Sequence, residues 1–248
     1  VVEYSLRTDT GKRKVNEDSA IAVARKDGIF LFAVADGLGG HGKGDIASSF
    51  VTEFIKNKFL ATDSIDSNFI PYIFEETQTA LLKKKQKIKD SMSMLTTCAL
   101  IIMDDKSFQF GYIGDSRIYV FKDGKAEIRS KDHSIPQMLV DNGDIDESEI
   151  RNHPDRNKIV RAIGINGMDF GYSVSEVIPY DSTYDFLICS DGLWEYVLEE
   201  DMEKYLKKSK KTPKKWISMM FSAVNKHRFS KNLDNYTAVA IQIKEDKK

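Results

Sequence analysis

Cysteine is almost missing from this chain of 248 residues: only Cys98 and Cys189 occur, each inside an apolar run. Two thiols cannot staple a secreted scaffold, so both read as buried and reduced. Neither has an arginine six residues on, where a thiol-dependent phosphatase loop needs one; Asp104 and Glu195 stand there. Prolines number five and glycines fifteen, which argues against a disordered chain. Charge of one sign is lacking too: 37 Lys and Arg offset 38 Asp and Glu, a net −1 with His neutral. No global field therefore draws the chain to nucleic acid or an anionic membrane, and neither is expected as a partner. No apolar run approaches the roughly 18 residues of a membrane span. The chain opens on Val1 without a charged-then-apolar leader, so it reads as a cytoplasmic protein or a trimmed one. Repeats, low-complexity tracts and linkers are absent as well. One domain over 1–248 is expected, with a monomer as the default state.

What the chain does have is a set of apolar stretches that each run into an aspartate turn. They are 29–35 into Asp36-Gly37, 110–114 into Asp115-Ser116, 185–190 into Asp191-Gly192 and 231–233 into Asp234-Asn235. Open sheets put their chemistry at strand ends. Acids aimed from strand ends at one region repel one another and resist ionising unless a cation sits among them. A metal site built of carboxylates is therefore expected.

Alternation and turn residues predict strands at 19–23, 29–35, 96–103, 108–114, 118–122, 126–129, 170–177, 186–190 and 237–243. Asp123-Gly124 reads as a hairpin turn. Ile46, Phe50, Val51, Phe54 and Ile55 recur at helical spacing, as do Phe69, Ile73, Phe74, Thr77 and Leu81. Further helices are predicted at 199–208 and 213–227, the second capped by Thr212 with Pro213 in its first turn. Strands and helices come in blocks rather than in alternation, which favours packed antiparallel sheets flanked by helices, an α+β fold. The polar stretch 142–157 reads as a surface flap that holds a short helix and packs little. The seven lysines within 204–215 read as a solvated face.

The loop Gly37-Leu38-Gly39-Gly40-His41-Gly42-Lys43-Gly44 satisfies two short glycine patterns at once. The phosphate-loop pattern needs Ser or Thr after its lysine, and Gly44 has no hydroxyl. The dinucleotide pattern needs a strand and an acid about twenty residues on, where this chain reads as helix. A third reading starts from Asp36 just before the loop: Gly37 lets an ion approach its carbonyl, and the glycines turn His41 back toward the metal.

In order along the chain stand Arg13-Lys14-Val15-Asn16-Glu17-Asp18, Asp36-Gly37-Leu38-Gly39-Gly40-His41, Thr96-Thr97, Gly114-Asp115-Ser116-Arg117, Asp132-His133-Ser134, Ser190-Asp191-Gly192 and Asp234-Asn235-Tyr236-Thr237. This series resembles the motifs of the metal-dependent, type 2C-like serine/threonine phosphatases over 8–243, and the segment 153–164 matches bacterial single-domain members. The resemblance implies a four-layer αββα sandwich, two antiparallel sheets between helix pairs, with a flap at about 142–170. It implies hydrolysis of phosphoserine and phosphothreonine on proteins, with Mn2+ or Mg2+ as cofactor. By position, Asp36 would bridge two ions, Asp191 and Asp234 would complete one, and the Gly37 carbonyl with Glu17 or Asp18 the other. Asp115 with Asp191 matches the place of a third, weaker ion, and Arg13 matches the ligand of the substrate phosphate.

Residue chemistry agrees with those implications. Oxygen-only ligands suit hard divalent ions rather than zinc. Two ions about 3.5–4 Å apart can lower a shared water's pKa enough for direct attack on phosphorus. The fork of Arg13 suits two phosphate oxygens, and His41, near pKa ~6.5, can protonate the departing oxygen. Asp132 reads instead as a turn cap, His133 as structural and Arg117 as the partner of a local acid. Leu95 before the Thr pair, Tyr236 after Asp234-Asn235 and Leu38 depart from the family pattern without removing a ligand, so substrate choice is the property they would shift. A protein kinase of the same cell is the expected counterpart. Two alternatives compete: a silent phosphoprotein-binding relative, which has no reason to keep Arg13, Asp36, Asp191 and Asp234, and a nucleotide-binding phosphate-loop protein, which lacks its hydroxyl at Gly44.

Overall fold

A computed structural model describes residues 1–38, 43–89, 91–167, 170–210, 212–227 and 233–243. The chain begins with β1 (Val2–Asp9), β2 (Asp18–Ala24) and β3 (Phe30–Leu38), then α1 (Gly44–Ala61) and α2 (Phe69–Lys85). Next come β4 (Leu95–Thr96), β5 (Cys98–Met103), β6 (Ser107–Ile113), β7 (Arg117–Lys122) and β8 (Lys125–Arg129). The short helix α3 (Ile135–Asn142) leads into the flap, and β9 (Ser173–Val174) and β10 (Ile178–Pro179) leave it. β11 (Tyr184–Cys189), α4 (Asp191–Trp194), α5 (Glu199–Ser209), α6 (Pro213–Asn225) and β12 (Tyr236–Ile243) complete the order.

The strands form two antiparallel sheets. One runs β1-β12-β11-β7-β8; the other runs β10-β6-β5-β3-β2, with β4 on β3 and β9 on β6. Alternation gives each central strand two apolar faces. Ile118, Val120, Phe186, Ile188, Val239 and Ile241 point at the other sheet and meet Phe32, Val34, Ala99 and Ile101. Their neighbours Tyr119, Phe121, Leu187 and Ala240 point the other way, onto α5 and α6. On the far side α1 and α2 cover Leu31, Ala33, Leu100 and Ile102 with Val51, Ile55, Ile73 and Phe74. Three apolar layers between four layers of structure make the αββα sandwich. Thr77 and Leu81 are buried as their spacing predicts, whereas Ile46 faces solvent and Ala47 takes the inward position.

Several expectations change. β1 is not among the expected strands, although Val2, Tyr4 and Leu6 alternate with Glu3, Ser5 and Arg7; it pairs with β12 from Val2↔Ile243 to Asp9↔Tyr236 as a sheet edge. The strand expected over 170–177 is reduced to β9, with β10 beyond it; its aromatics Phe170 and Tyr172 pack under α2 instead of continuing a ladder. Thr212 stands at the α6 N-cap, but its side chain accepts no bond from the helix. The flap packs more than its polarity suggests. Ile150 is buried, Arg151 donates to both carboxylate oxygens of Glu199 at 2.7 Å, and Arg156 Nε donates to Glu195 at 2.8 Å.

This topology gathers the aspartates. β3 and β6 flank β5 antiparallel, so both end on the same side of their sheet. In the other sheet β11 ends where β12 begins. Asp36, Asp115, Asp191 and Asp234 therefore sit at one end of the sandwich.

Candidate metal centre

Asp36, Asp115, Asp191 and Asp234 line a single cavity of about 200 Å³, together with Arg13, Glu17 and Gly37. Asp18 lies beneath it, directly opposite Asp36 in the β2–β3 register. His41 falls outside the described residues. Seven of the nine residues singled out from the sequence thus face one space, with Asp18 packed behind Asp36.

Hydroxyl and amide side chains fix the backbone that carries each acid. Asp36 N–H donates to Thr97 Oγ1 at 2.9 Å, and its carbonyl accepts from Thr96 Oγ1 and Thr97 N–H, each at 2.8 Å. Thr97 Oγ1 also meets Ser116 Oγ at 2.8 Å, which ties the Asp36 strand to the Asp115 turn. Asn235 is the clamp for the first loop. Its Oδ1 accepts from Glu17 N–H at 2.8 Å, while its Nδ2 donates to the carbonyls of Thr10 at 2.8 Å and Val15 at 3.1 Å. Arg13 Nη2 donates to Asp234 Oδ2 at 2.5 Å across that loop. Ser190 Oγ donates to Asp18 at 2.7 Å and accepts from Thr237 N–H at 3.0 Å, joining the two sheets.

Two glycines are required by close approach. A Cβ on Gly37 would lie 2.2 Å from the Gly44 carbonyl oxygen, so this residue lets the start of α1 rest against the end of β3. A Cβ on Gly192 would lie 2.0 Å from the Asn235 carbonyl oxygen, so only glycine lets the Asp191 helix touch the Asp234 turn.

Behind Asp115 is a buried polar support. Arg117 holds Asp132 with two bonds of 2.8 and 2.7 Å and stacks 3.5 Å over the Trp194 ring. Trp194 Nε1 donates to the Asp115 carbonyl at 3.0 Å. Asp132 is thus an ion-pair partner rather than a turn cap. His133 Nδ1 accepts from Gly114 N–H at 3.2 Å, and burial pushes its pKa down to about 4, so the ring is neutral and structural.

Electrostatics single out the cavity. Burial, and then Asp18, Asp191, Asp115 and Asp234, push Asp36 well above the ordinary aspartate range. Burial, followed by Asp115 and Glu195, does the same to Asp191. Burial raises Asp115 to about 7 and Asp18 to about 6, and raises Glu17 as well. Like charges directly opposite on paired strands, as Asp18 and Asp36 stand, are destabilising without a compensating cation. Arg13 is the one cation among the described residues that line the cavity.

Among the described residues no three of these groups stand at the spacing of a closed metal shell. Donor chemistry still fits a hard divalent ion. The ligating side chains on offer are carboxylates, and Asp18 Oδ1 is buried without a hydrogen-bond partner.

The departures from the family pattern are absorbed by packing. Leu38 and Leu95 face each other across β3–β4. Tyr236 is fully buried, its ring centroid 4.8 Å from that of Phe221, with its hydroxyl donating to Asn225 at 3.3 Å. The sequence marked Asp36, Asp115, Asp191 and Asp234 correctly as neighbours. It gave no signal for the supporting roles of Asn235, Ser190 and Trp194, because each acts through hydrogen bonds to groups far away in the chain.

Known proteins resemble this chain along its length. The sequence profile described as Protein phosphatase 2C matches residues 9–236. The serine/threonine phosphatase stp of Listeria welshimeri is 32% identical over 223 residues, covering 85% of each chain. The crystal structure of a bacterial serine phosphatase superposes with a TM-score of 0.88 at 28% identity, over 100% of both chains. The catalytic domain of the phosphatase PstP, solved in complex with 2 manganese ions, gives a TM-score of 0.82 at 26% identity over 98% of this chain and 99% of that one.

Proposed function

We infer the mechanism from one premise: the chain belongs to the protein phosphatase 2C family. It is a protein serine/threonine phosphatase, a phosphoric monoester hydrolase. Asp36, Asp191 and Asp234, with the Gly37 carbonyl and Glu17 or Asp18, would hold two divalent ions, Mn2+ or Mg2+. Asp115 with Asp191 would hold a third. When bound, the ions supply a water acidic enough to attack phosphorus in line and offset the charge of the phosphate. The observation that carries this assignment is the convergence of Asp36, Asp115, Asp191 and Asp234 on one cavity whose single lining cation is Arg13, among the described residues.

The remaining work falls to the chain's own groups. Arg13 is more than half exposed on its side chain, so its guanidinium can turn from Asp234 to two oxygens of the substrate phosphate. There it orients the ester and balances charge that builds during transfer. His41 keeps the role of proton donor to the departing serine or threonine oxygen. In the cell we assign the enzyme to the cytoplasm, as a monomer that acts on phosphorylated proteins and opposes a serine/threonine kinase. No helix among the described residues is long and apolar enough to cross a membrane.

Phosphate release from a phosphothreonine peptide and from p-nitrophenyl phosphate tests the reading. Turnover is expected with Mn2+, loss of at least about a hundredfold with EDTA, and recovery when Mn2+ is restored. Turnover indifferent to EDTA would remove the ions from the mechanism. Phosphopeptide binding without turnover would favour the silent relative.

A further inference from the structure

Beside the acid cavity lies a second one of about 380 Å³. It shares Arg13, Asn157, Asp191 and Asp234 with the first and adds Lys12 and Arg156. The two spaces therefore meet along a common wall, and a substrate seated over the acids extends its chain toward the second. Cations reach it from two unrelated segments: Lys12 and Arg13 from the loop after β1, and Arg156 from the flap.

Arg156 is held ready for a ligand. Its Nε donates to Glu195 Oε1 at 2.8 Å, which fixes the guanidinium plane. Its two terminal nitrogens make no hydrogen bond among the described residues. The corner that carries it is pinned on both sides. Asp155 N–H donates to His153 Nδ1 at 3.1 Å and Arg156 N–H to the His153 carbonyl at 3.1 Å. Lys158 N–H donates to the Asp155 carbonyl, and Ile135 N–H to the Lys158 carbonyl, each at 2.9 Å. A side chain on such a corner loses little freedom when it binds, so its charge-assisted bonds count nearly in full.

The charges also select the ligand. Asp234 is paired with Arg13 and Glu195 with the Nε edge of Arg156, the third acid of the wall, Asp191, would be a ligand of the divalent ions, and Lys12 is exposed and makes no ion pair among the described residues. What the cavity offers a visitor is therefore the Lys12 ammonium and the Arg156 fork, with a single apolar side chain, Leu233, in its wall. We propose that this cavity is a subsite for a second anionic side chain of the substrate, gripped by Arg156 and Lys12. That group is a carboxylate or phosphate one or two residues from the scissile phosphate, about 3.5–7 Å along an extended chain. The assignment rests on the phosphatase reading above.

Steady-state kinetics on three phosphothreonine peptides test it, with alanine, aspartate or a second phosphoserine at the flanking positions. The Mn2+-loaded enzyme and its Arg156→Ala, Arg156→Lys and Lys12→Ala variants are compared. Each variant's peptide rates are taken relative to its own p-nitrophenyl phosphate turnover. The unaltered enzyme is expected to favour the anionic peptides about tenfold in kcat/KM, through KM rather than kcat. The phosphoserine peptide gains more than the aspartate peptide if two negative charges meet both cations, and equal gains assign the site to a single carboxylate-like contact. Arg156→Ala is expected to reduce the preference to about twofold or less, Arg156→Lys to keep part of it, and Lys12→Ala to weaken it about threefold. Should Arg156→Ala not fold, Lys12→Ala decides alone. Equal kcat/KM for all three peptides, or an unchanged preference in the variants, would overturn the subsite while leaving the phosphatase intact. Absence of any turnover on p-nitrophenyl phosphate would overturn the phosphatase reading instead.

Discussion

Asp36→Asn is expected to move activity and stability in opposite directions. Phosphopeptide turnover with Mn2+ should fall by at least about a thousandfold, the scale of roughly 4 kcal/mol of transition-state stabilisation. The melting temperature of the metal-free protein at pH 8 should rise, by about 3–10 °C, for the gain of a few kcal/mol in a chain of this size. Asparagine keeps the side-chain shape and leaves the backbone bonds to Thr96 and Thr97 in place. It removes the one charge that is pushed upward by Asp18, Asp191, Asp115 and Asp234 together. Manganese should no longer raise the melting temperature of the variant. Turnover within tenfold of the unaltered enzyme, or a metal-free protein that melts lower, would mean that Asp36 is not the centre of a strained acid cage.

The second large effect is on pH. Asp18 at about 6 and Asp115 at about 7, together with Asp36 and Asp191, which burial and neighbouring acids also raise, all titrate above the ordinary aspartate value near ~3.9. A folded-state pKa raised in this way means that the protonated acid favours folding. That stabilisation is complete below the unfolded value and is lost as pH climbs through the folded one. The metal-free protein should therefore melt about 5–10 °C lower at pH 8.5 than at pH 6.5. His133, with its pKa near 4, loses stability only below its unfolded value near ~6.5, so it does not contribute in this window. Added Mn2+ should reverse the slope. With the ionised acids as its ligands, binding would release protons and tighten as pH rises, and the metal-induced gain in melting temperature should be larger at pH 8.5 than at pH 6.5. A flat metal-free profile with a pH-independent gain would contradict the cage.

Much of this site was legible in the sequence because its acids follow strands. A buried strand is recognisable from its apolar run, and an acid at its end has few reasons to be there apart from a turn or a cation. Asp36, Asp115 and Asp191 stand out on that logic. The order of the motifs then implied the fold, since no arithmetic on spacing tells which strand ends meet. Long-range side-chain hydrogen bonds were not legible. Asn235 clamps a loop more than two hundred residues away, and its amide looks like any other turn residue. β1 did carry a signal, since Val2, Tyr4 and Leu6 alternate with polar residues, but the alternation is short and Tyr4 and Leu6 stay exposed on this edge strand. The flap was read as loosely packed from its polarity. In fact its polar residues are the anchors, through Arg151 to Glu199 and Arg156 to Glu195.

The cage of carboxylates around divalent ions is the claim on which the rest depends, and anomalous diffraction tests it most directly. Crystals equilibrated with manganese at pH 8, measured on both sides of the manganese absorption edge, should show two anomalous peaks in the cavity. Asp36 should lie within bonding distance of both, and Asp191 and Asp234 of one. No anomalous density between these side chains, or peaks held by other residues, would contradict the account.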